Sequence, residues 1–303
     1  SRRFRRVVSL ERDPVLALVA RYNFERLEAR NIEVICTSAE TFVAEFAGTA
    51  DLIYADPARR DGANRRLVRL EECSPDVRSL MPRLRQIARR IVVKASPLFD
   101  TDEAFALFGG EVSVEAVSLH GECKELLIDL PGTDRPEAPG LLRATAIGRG
   151  TRTFHPEQLR DGKPDAGFDP PYGFLLVPDV SLYKIRAARC YLQSAGAFAV
   201  SETGYGFARH LPDDFLGHAY PIEEIVPYRP KALKTLFRTR GIERLNLLKR
   251  DFPLDAEQIA RATGIRQGGN GMAAFTTGNG SPSYYRKKDA KGAGDFENNS
   301  LHL

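Results

Sequence analysis

A carboxylate, a proline and an arginine follow a short apolar run, and this pattern could mark the catalytic edge of a sheet. Residues 52–55 read Leu-Ile-Tyr-Ala, Asp56 and Pro57 follow at once, and Arg59 comes two residues later. A short apolar run that ends in such a turn predicts a buried parallel strand whose carboxylate lies at the carboxyl edge of an α/β sheet, where such sheets bind ligands. Pro57 would hold the backbone beside Asp56 stiffly. An ordinary turn after a strand is the alternative interpretation.

Other polar residues stand at the ends of further predicted strands. Glu11 ends a strand at 7–10, and Lys94 ends a strand at 91–94. An acidic residue at a strand end is the expected partner of a nucleoside ribose. A solvated carboxylate at a helix start explains Glu11 equally well. Lys94 could orient or neutralise a group beside Asp56, or simply extend its ammonium group into solvent.

The elements that would position these residues alternate along the first part of the chain. Strands are predicted at 7–10, 31–36, 52–55 and 91–94, with helical segments at about 14–29, about 40–46 and in a long region that reaches Arg90. The first helix carries an approximate apolar stripe, formed by Val15, Leu18, Val19, Tyr22 and Leu27. This alternation predicts a doubly wound parallel sheet. Two further runs, 111–119 and 123–130, enclose a short glycine-containing link and predict a hairpin.

Several short segments resemble one family when they are taken together, although each is weak alone. They are Ser9–Pro14, Ala20–Asn23, Cys36–Glu40, Asp56–Arg59, Gly121–Leu126, Arg250–Leu254, Gly268–Gly269 and Ala274–Thr277. The chain resembles bacterial class I S-adenosylmethionine-dependent methyltransferases that carry a THUMP-like C-terminal domain. The resemblance extends over about residues 1–288.

The resemblance implies S-adenosylmethionine as the cofactor and assigns roles to named residues. Glu11 would hold the ribose, Ser38, Ala39 and Glu40 would line the adenine, and Asp56 would lie near both cofactor and substrate. The implied catalytic residues are Asp56, Pro57, Arg59 and Lys94.

The turn at Asp56 departs from the amino-methylating pattern, because Ala58 and Arg59 replace its second proline and its aromatic residue. It is similar to the turn of pyrimidine-C5 RNA methyltransferases, which place a nucleophilic cysteine at the next strand end. Ser96 occupies that place here, so C5 chemistry by that route is not expected. The resemblance then implies direct transfer to a nitrogen or oxygen of a tRNA or rRNA base.

One feature of the family is missing before Glu11. Such methyltransferases open with a strand and a glycine-rich turn, whereas residues 1–6 read as the end of a helix and contain no glycine. We therefore expect an incomplete Rossmann-like domain that lacks its first strand, with strands 7–10 and 51–55 flanking the vacant place. This chain alone would then lack a complete cofactor site. A non-catalytic RNA-binding protein or pseudoenzyme fragment is the alternative interpretation.

Positive charge is clustered, although the net charge is only +4. Arginine matches phosphate geometry well, and two clusters suggest a nucleic-acid backbone. Solvated helix faces are the alternative. The predicted RNA-binding residues are Arg60, Arg65, Arg66, Arg238, Arg240 and Arg244.

Composition completes the domain prediction. We predict a truncated methyltransferase domain at 1–130, a small connecting α+β module at 131–170, a THUMP-like RNA-binding module at 171–288 and a disordered tail at 289–303. Within the connecting module, 141–147 is predicted as a strand and 148–171 as a polar loop. No apolar run is long enough to span a membrane. The four cysteines show neither metal nor disulfide spacing, which favours the cytoplasm. The oligomeric state stays open.

A second tetrapeptide, Asp169-Pro-Pro-Tyr172, matches the motif with which amino-group methyltransferases hold a planar amine. That motif needs an apolar strand before it. Residues 162–167 read Gly-Lys-Pro-Asp-Ala-Gly instead. We interpret the tetrapeptide as part of a proline-rich linker.

Overall fold

The computed structural model describes residues 3–58, 73–133, 140–160, 167–201, 203–278 and 281–287. The chain divides into two compact units: unit 1 comprises 1–114 and 125–140, and unit 2 comprises 115–124 and 141–303. The domain boundaries predicted after residues 130 and 170 stay predictions. Arg59, Arg60, Arg65, Arg66 and the predicted tail at 289–303 lie outside the described residues.

Unit 1 begins with a small strand–helix–strand element. Strand β1 (Val7–Glu11) and strand β2 (Ile32–Cys36) form a two-stranded parallel sheet, and helix α1 (Pro14–Arg26) connects them. Helix α1 starts at Pro14 because the Asp13 carboxylate accepts the N–H groups of Val15 and Leu16. The predicted apolar stripe of α1 is exposed, because among the described residues the sheet buries only Ala17 of this helix.

A second sheet contributes the core of unit 1. Its elements are α2 (Ala39–Glu45), β3 (Ile53–Ala55), α3 (Val77–Ile87), β4 (Arg90–Ala95) and α4 (Thr101–Phe108). Strand β3 pairs in parallel with β4. The buried run Ile91–Val93 reads as near-continuous apolar residues because β4 is covered on both faces. The expected α/β architecture is confirmed in this coarse form.

A hairpin follows α4. Strands β5 (Ser113–Leu119) and β6 (Glu122–Pro131) are joined through His120 and Gly121, which both have positive φ. Within unit 1, β6 runs antiparallel to β4 and places Leu126, Ile128 and Leu130 in the core. The tip of the hairpin, 115–124, belongs to unit 2.

Unit 2 continues with a second hairpin. Strands β7 (Leu142–Ala146) and β8 (Gly150–Phe154) pair antiparallel across a turn with positive φ at Gly148, and α5 (Pro156–Arg160) follows. The strand predicted at 141–147 is confirmed, and the loop predicted at 148–171 is wrong over 150–160. Strand β8 is polar because Thr151 and Thr153 lie on its exposed face, so its composition resembles that of a loop.

The remaining strands of unit 2 form one seven-stranded sheet. The first elements are β9 (Phe174–Pro178), α6 (Val180–Lys184), α7 (Ala188–Ser194), β10 (Phe198–Ala199) and β11 (Gly206–Ala208). The next are β12 (Gly217–Pro227), α8 (Pro230–Thr239), β13 (Arg244–Lys249), α9 (Ala256–Thr263), β14 (Arg266–Gly278) and β15 (Ser281–Lys287). The strand order is β10-β11-β9-β12-β15-β14-β13. Helices α8 and α9 pack on a core that contains Phe237, Ile259 and Phe275.

Candidate functional site

The Asp56–Lys94 pair lies at the carboxyl edge of β3 and β4. Because Ala55 stands opposite Val93 in the parallel register, Asp56, which directly follows β3, lies beside Lys94, the next-to-last residue of β4. The Lys94 ammonium group donates a hydrogen bond to the Asp56 carboxylate. The Lys94 side chain is 18% exposed and that of Asp56 is 46% exposed. The structure therefore brings two predicted site residues together and leaves the carboxylate accessible to a ligand.

The turn after Asp56 is fixed from two directions. Pro57 is buried. The Ala58 N–H donates to the Ser74 carbonyl over 2.8 Å, and the Ser74 N–H donates back over 3.3 Å. These contacts fix the backbone of the turn and so help to position the Asp56 carboxylate.

Two further residues near this edge were missed by the sequence analysis. Tyr54 precedes the pair on β3 and is exposed, and its pKa is raised by partial burial and then by the charge of Glu125. Lys94 lowers that pKa and Asp56 raises it slightly, so both belong to the same electrostatic environment. The phenol is neutral at neutral pH and can donate a hydrogen bond. Only the pairing of β6 with β4 places Glu125 here, because Leu126 stands opposite Ala95.

The predicted cofactor residues lie together at the carboxyl edge of β1 and β2. Glu11 stands opposite Cys36, and one of its carboxylate oxygens accepts the Asp13 N–H over 2.8 Å. Ser38 is the N-cap of α2, where its hydroxyl accepts the Thr41 N–H over 3.1 Å. Helix capping thus already accounts for a serine at position 38.

A hydrogen bond links these two edges of unit 1. Arg12, which follows Glu11, donates through Nη1 to the hydroxyl of Ser74 over 3.0 Å. Ser74 in turn pairs with Ala58, two residues after Asp56. The predicted cofactor and catalytic residues therefore stand on connected segments of unit 1.

A basic surface is present on helix α8 of unit 2. Leu233 and Phe237 point into the core, whereas Lys231, Lys234 and Arg238 are exposed. The three cations are three and four residues apart, so they share one side of the helix. We call Lys231, Lys234 and Arg238 the α8 basic face. Of these three, only Arg238 is among the predicted RNA-binding residues.

The other two arginines predicted in unit 2 have different surroundings. Arg240 donates through both terminal nitrogens to the carboxylate of Glu224, with Nη2 at 3.0 Å from Oε2. Arg244 is exposed at the start of β13. Gly269 packs closely against Arg244, since a Cβ added at Gly269 would lie 3.1 Å from the Arg244 Cβ. The charge of Arg240 is thus already balanced by Glu224.

Two arginines of unit 1, Arg83 on α3 and Arg90 at the start of β4, make contacts within that unit. Arg83 donates to the carbonyls of Val43 and Phe46 over 3.3 and 2.7 Å. Arg90 makes two hydrogen bonds to the Asp129 carboxylate, of 2.9 and 2.8 Å. The bidentate geometry is that of a strong charge-assisted pair. Long-range contacts within unit 1 therefore occupy the guanidinium groups of Arg83 and Arg90.

The described part of the chain contains no group of three or more histidine, cysteine or carboxylate side chains arranged to hold a metal ion. Its four cysteines, Cys36, Cys73, Cys123 and Cys190, are free thiols. No helix among the described residues is long and apolar enough to cross a membrane.

Comparisons with known proteins give a family match for one segment of the chain and a structural likeness for its fold. Residues 217–284, which run from β12 into β15, match the family model described as "THUMP domain-like". The fold is similar to the crystal structure of a "putative methyltransferase" from Porphyromonas gingivalis W83, with a TM-score of 0.79 and 22% sequence identity. That likeness covers 94% of this chain and 72% of the other. A search of curated proteins gave no match.

Proposed function

We propose that this protein takes part in S-adenosylmethionine-dependent methylation of RNA, with unit 1 carrying the transfer site and unit 2 an RNA-binding surface. The observation that carries the proposal is the Asp56–Lys94 pair at the carboxyl edge of β3 and β4. It is supported by the fold shared with a protein described as a putative methyltransferase and by the THUMP-like segment. The substrates would be tRNA or rRNA in the cytoplasm, methylated on a base nitrogen or on oxygen.

The residues of unit 1 fit part of the cofactor. Glu11 uses one carboxylate oxygen on the Asp13 N–H, and the second oxygen could accept a ribose hydroxyl. Ser38 caps α2, so Ala39 and Glu40 would contribute more than Ser38 to the adenine site. When bound, S-adenosylmethionine supplies an electrophilic methyl group on its sulfonium. The residues named here would orient the nucleoside end of that molecule.

Asp56 and Lys94 would act on the accepting atom of the RNA. Asp56 would accept a hydrogen bond or a proton from the attacking N–H or O–H group, as a general base does. Lys94 would orient that carboxylate through their ion pair. Tyr54, which stays protonated, would offer a donor to the same base, and Pro57 would fix the turn. Arg59, which lies outside the described residues, keeps its proposed role from the sequence alone.

The interrupted sheet of unit 1 supports the proposal that its first strand is missing. In the described part of the chain β1 pairs with β2 and β3 pairs with β4, and no ladder joins β1 to β3. The apolar side chains of α1, which packs on β1 and β2, are exposed. We propose that a strand and a glycine-rich turn outside these residues lie between β1 and β3 and complete the cofactor site.

For RNA, the α8 basic face within the THUMP-like segment is the main support. Three exposed cations on one side of a helix give a phosphate-binding surface whose affinity depends on salt. Arg244 is exposed and stays in the proposed set. Arg240 is a weaker candidate than Arg238, because Glu224 already balances its charge. Arg60, Arg65 and Arg66 stay proposals from sequence alone.

A methyl-transfer assay tests the proposed function. Tritiated S-adenosylmethionine is offered with unmodified tRNA and rRNA to the chain extended by the residues encoded upstream of Ser1. Asp56→Asn should lower the rate by about 100-fold or more, in the range that general-base catalysis contributes. RNA affinity, measured by filter binding, should be unchanged.

Asp51→Asn is the matched control, since Asp51 is an exposed carboxylate just before β3 that pairs with Arg89 at 3.5 Å. It should retain full transfer. If the Asp56→Asn protein also retained full transfer, the catalytic assignment would be wrong and a non-catalytic RNA-binding protein would be the better account.

A further inference from the structure

A cavity in unit 2 lies beside the tetrapeptide that sequence analysis interpreted as a linker. It has a volume of about 610 Å³ and is lined by residues of 167–172, 195–198 and 207–212. That volume falls in the usual range for small-molecule sites, about 300–1,000 Å³. All of its lining residues belong to unit 2, whereas the Asp56–Lys94 pair belongs to unit 1.

One side of the cavity is aromatic. Tyr172 and Phe198 line it and are half-buried, with Phe207 beneath them. Phe168 supports all three rings, with centroid distances of 5.1 Å to Tyr172, 5.5 Å to Phe198 and 5.4 Å to Phe207. The rings are thus held in place by one another, and the outer two present aromatic surface to a ligand.

Polar groups stand at the mouth of the cavity. Arg209 donates to the Asp169 carboxylate over 2.9 Å, and both side chains are largely exposed. His210 and Leu211 are also exposed there. The Asp169 N–H donates to the Tyr172 hydroxyl over 3.1 Å, which fixes the orientation of that ring. A cation, a carboxylate acceptor and an aromatic wall therefore meet in one place.

We propose that this cavity binds one unstacked nucleobase of a single-stranded nucleic acid, with the adjoining phosphate at Arg209 and His210. Aromatic side chains bind bases by stacking, with little dependence on sequence. Arg209 uses one terminal nitrogen on one Asp169 oxygen and is 60% exposed, so, unlike Arg240 with its two-point pair to Glu224, it keeps donors for a phosphate. The second Asp169 oxygen could accept an exocyclic amino group at the mouth. The inference rests on the proposed RNA-binding function and extends it to a second surface of unit 2. It assigns no methyl transfer to Asp169-Pro-Pro-Tyr172.

The test uses two short single-stranded RNAs that differ at one position. One carries the fluorescent base 2-aminopurine and the other an abasic residue in its place. Wild-type protein should bind the first about tenfold more tightly, as loss of one stacked base predicts. Tyr172→Leu should abolish this difference, whereas Tyr172→Phe, which keeps the ring, should retain it. Arg209→Gln should weaken both RNAs about equally, because phosphate contacts carry no base information.

Each other outcome has a definite meaning. Equal binding of both RNAs by the wild type would overturn the base pocket and leave RNA binding intact. Equal losses in Tyr172→Phe and Tyr172→Leu would overturn it too, by showing that the hydroxyl contact to Asp169 matters rather than stacking. If neither RNA binds, the proposed RNA function fails. Titration with adenosine monophosphate, compared with inorganic phosphate, then decides whether the cavity binds a base. Nucleotide binding that Tyr172→Leu removes would support the cavity as a base site, and its absence would overturn it.

Discussion

Helices α1 and α8 begin alike and end up in different environments. Each has a proline at its first position and apolar residues spaced for one side of a helix. In α8, Leu233 and Phe237 are 2% and 3% exposed, whereas in α1 Leu18 is 62% exposed. The difference lies in what packs against each helix. A local pattern predicts a helix, but only a partner segment turns its apolar side into a core.

The same contrast separates the two units at the level of sheets. In unit 2, β12 to β15 form a continuous sheet that α8 and α9 cover, with Phe275 fully buried. In the described residues of unit 1, the pairing is interrupted between β1 and β3. Our proposal of a strand outside these residues is an explanation of that interruption. Equivalent apolar positions in the two units should therefore differ in how much their substitution costs.

The largest expected difference is between a core residue of unit 2 and an apolar residue of α1. Phe275→Ala should destabilise unit 2 by about 3–5 kcal/mol, the usual cost of removing a buried phenylalanine. Leu18→Ala should change the stability of unit 1 by no more than about 0.5 kcal/mol, as an exposed substitution does. Urea unfolding, with a separate probe for each unit, measures both. A cost above 2 kcal/mol for Leu18→Ala in this chain would mean that the exposed side of α1 is already covered.

Helix caps should show no such asymmetry, because they are local. Asp13 caps α1 and Asp255 caps α9, where Gln258 completes a capping box. Replacing either aspartate by alanine should cost about 1 kcal/mol in its own unit. The same urea experiment measures both costs. Asn replacements, which keep an acceptor, serve as controls and should cost much less.

Within unit 2, the salt dependence of RNA binding should distinguish accessible arginine from paired arginine. Arg238→Gln should reduce the slope of log affinity against log salt by about one, because one phosphate contact is lost. Arg240→Gln should leave that slope nearly unchanged, since Glu224 already holds its guanidinium group. Filter binding at several salt concentrations separates the two. Equal slope changes would show that Arg240 leaves Glu224 to bind phosphate.

The smallest expected effect is a pH dependence confined to unit 2. The pKa of His218 is lowered, first by partial burial of the ring and then by Arg149, whose Nη1 lies 3.3 Å from Nε2. The unfolded chain therefore binds more protons than the folded one as pH falls through the ordinary histidine pKa of about 6.5. The stability of unit 2 should fall in that direction. His218→Asn should weaken this dependence and leave the unfolding of unit 1 unaffected.

Features set by strand ends could be predicted from the sequence, whereas features set by long-range pairing could not. The sequence predicted β1, β2, β3 and β4 and the placement of Asp56 beside Lys94, because an apolar run that ends in a polar residue marks a sheet edge. Glu125 was missed because only the antiparallel register of β6 brings it near Tyr54.

Composition and local spacing failed as predictors where the conformation or the partner of a residue depends on segments distant in sequence. Strand β8 was taken for a loop because its exposed face is polar. Helices α6 and α7 are likewise separated by Arg186, which adopts a positive φ that no local pattern indicates. The partner of Arg240 is 16 residues away on β12, where no local spacing rule indicates it.

Calorimetric titration with S-adenosylmethionine tests the central claim most directly, namely that unit 1 forms a cofactor site that needs a strand beyond these residues. We expect weak or no binding by the 303-residue chain. The chain extended by the residues encoded upstream of Ser1 should bind clearly, and Glu11→Gln should weaken that binding. Tight binding by the 303-residue chain alone, or none by the extended chain, would contradict the account.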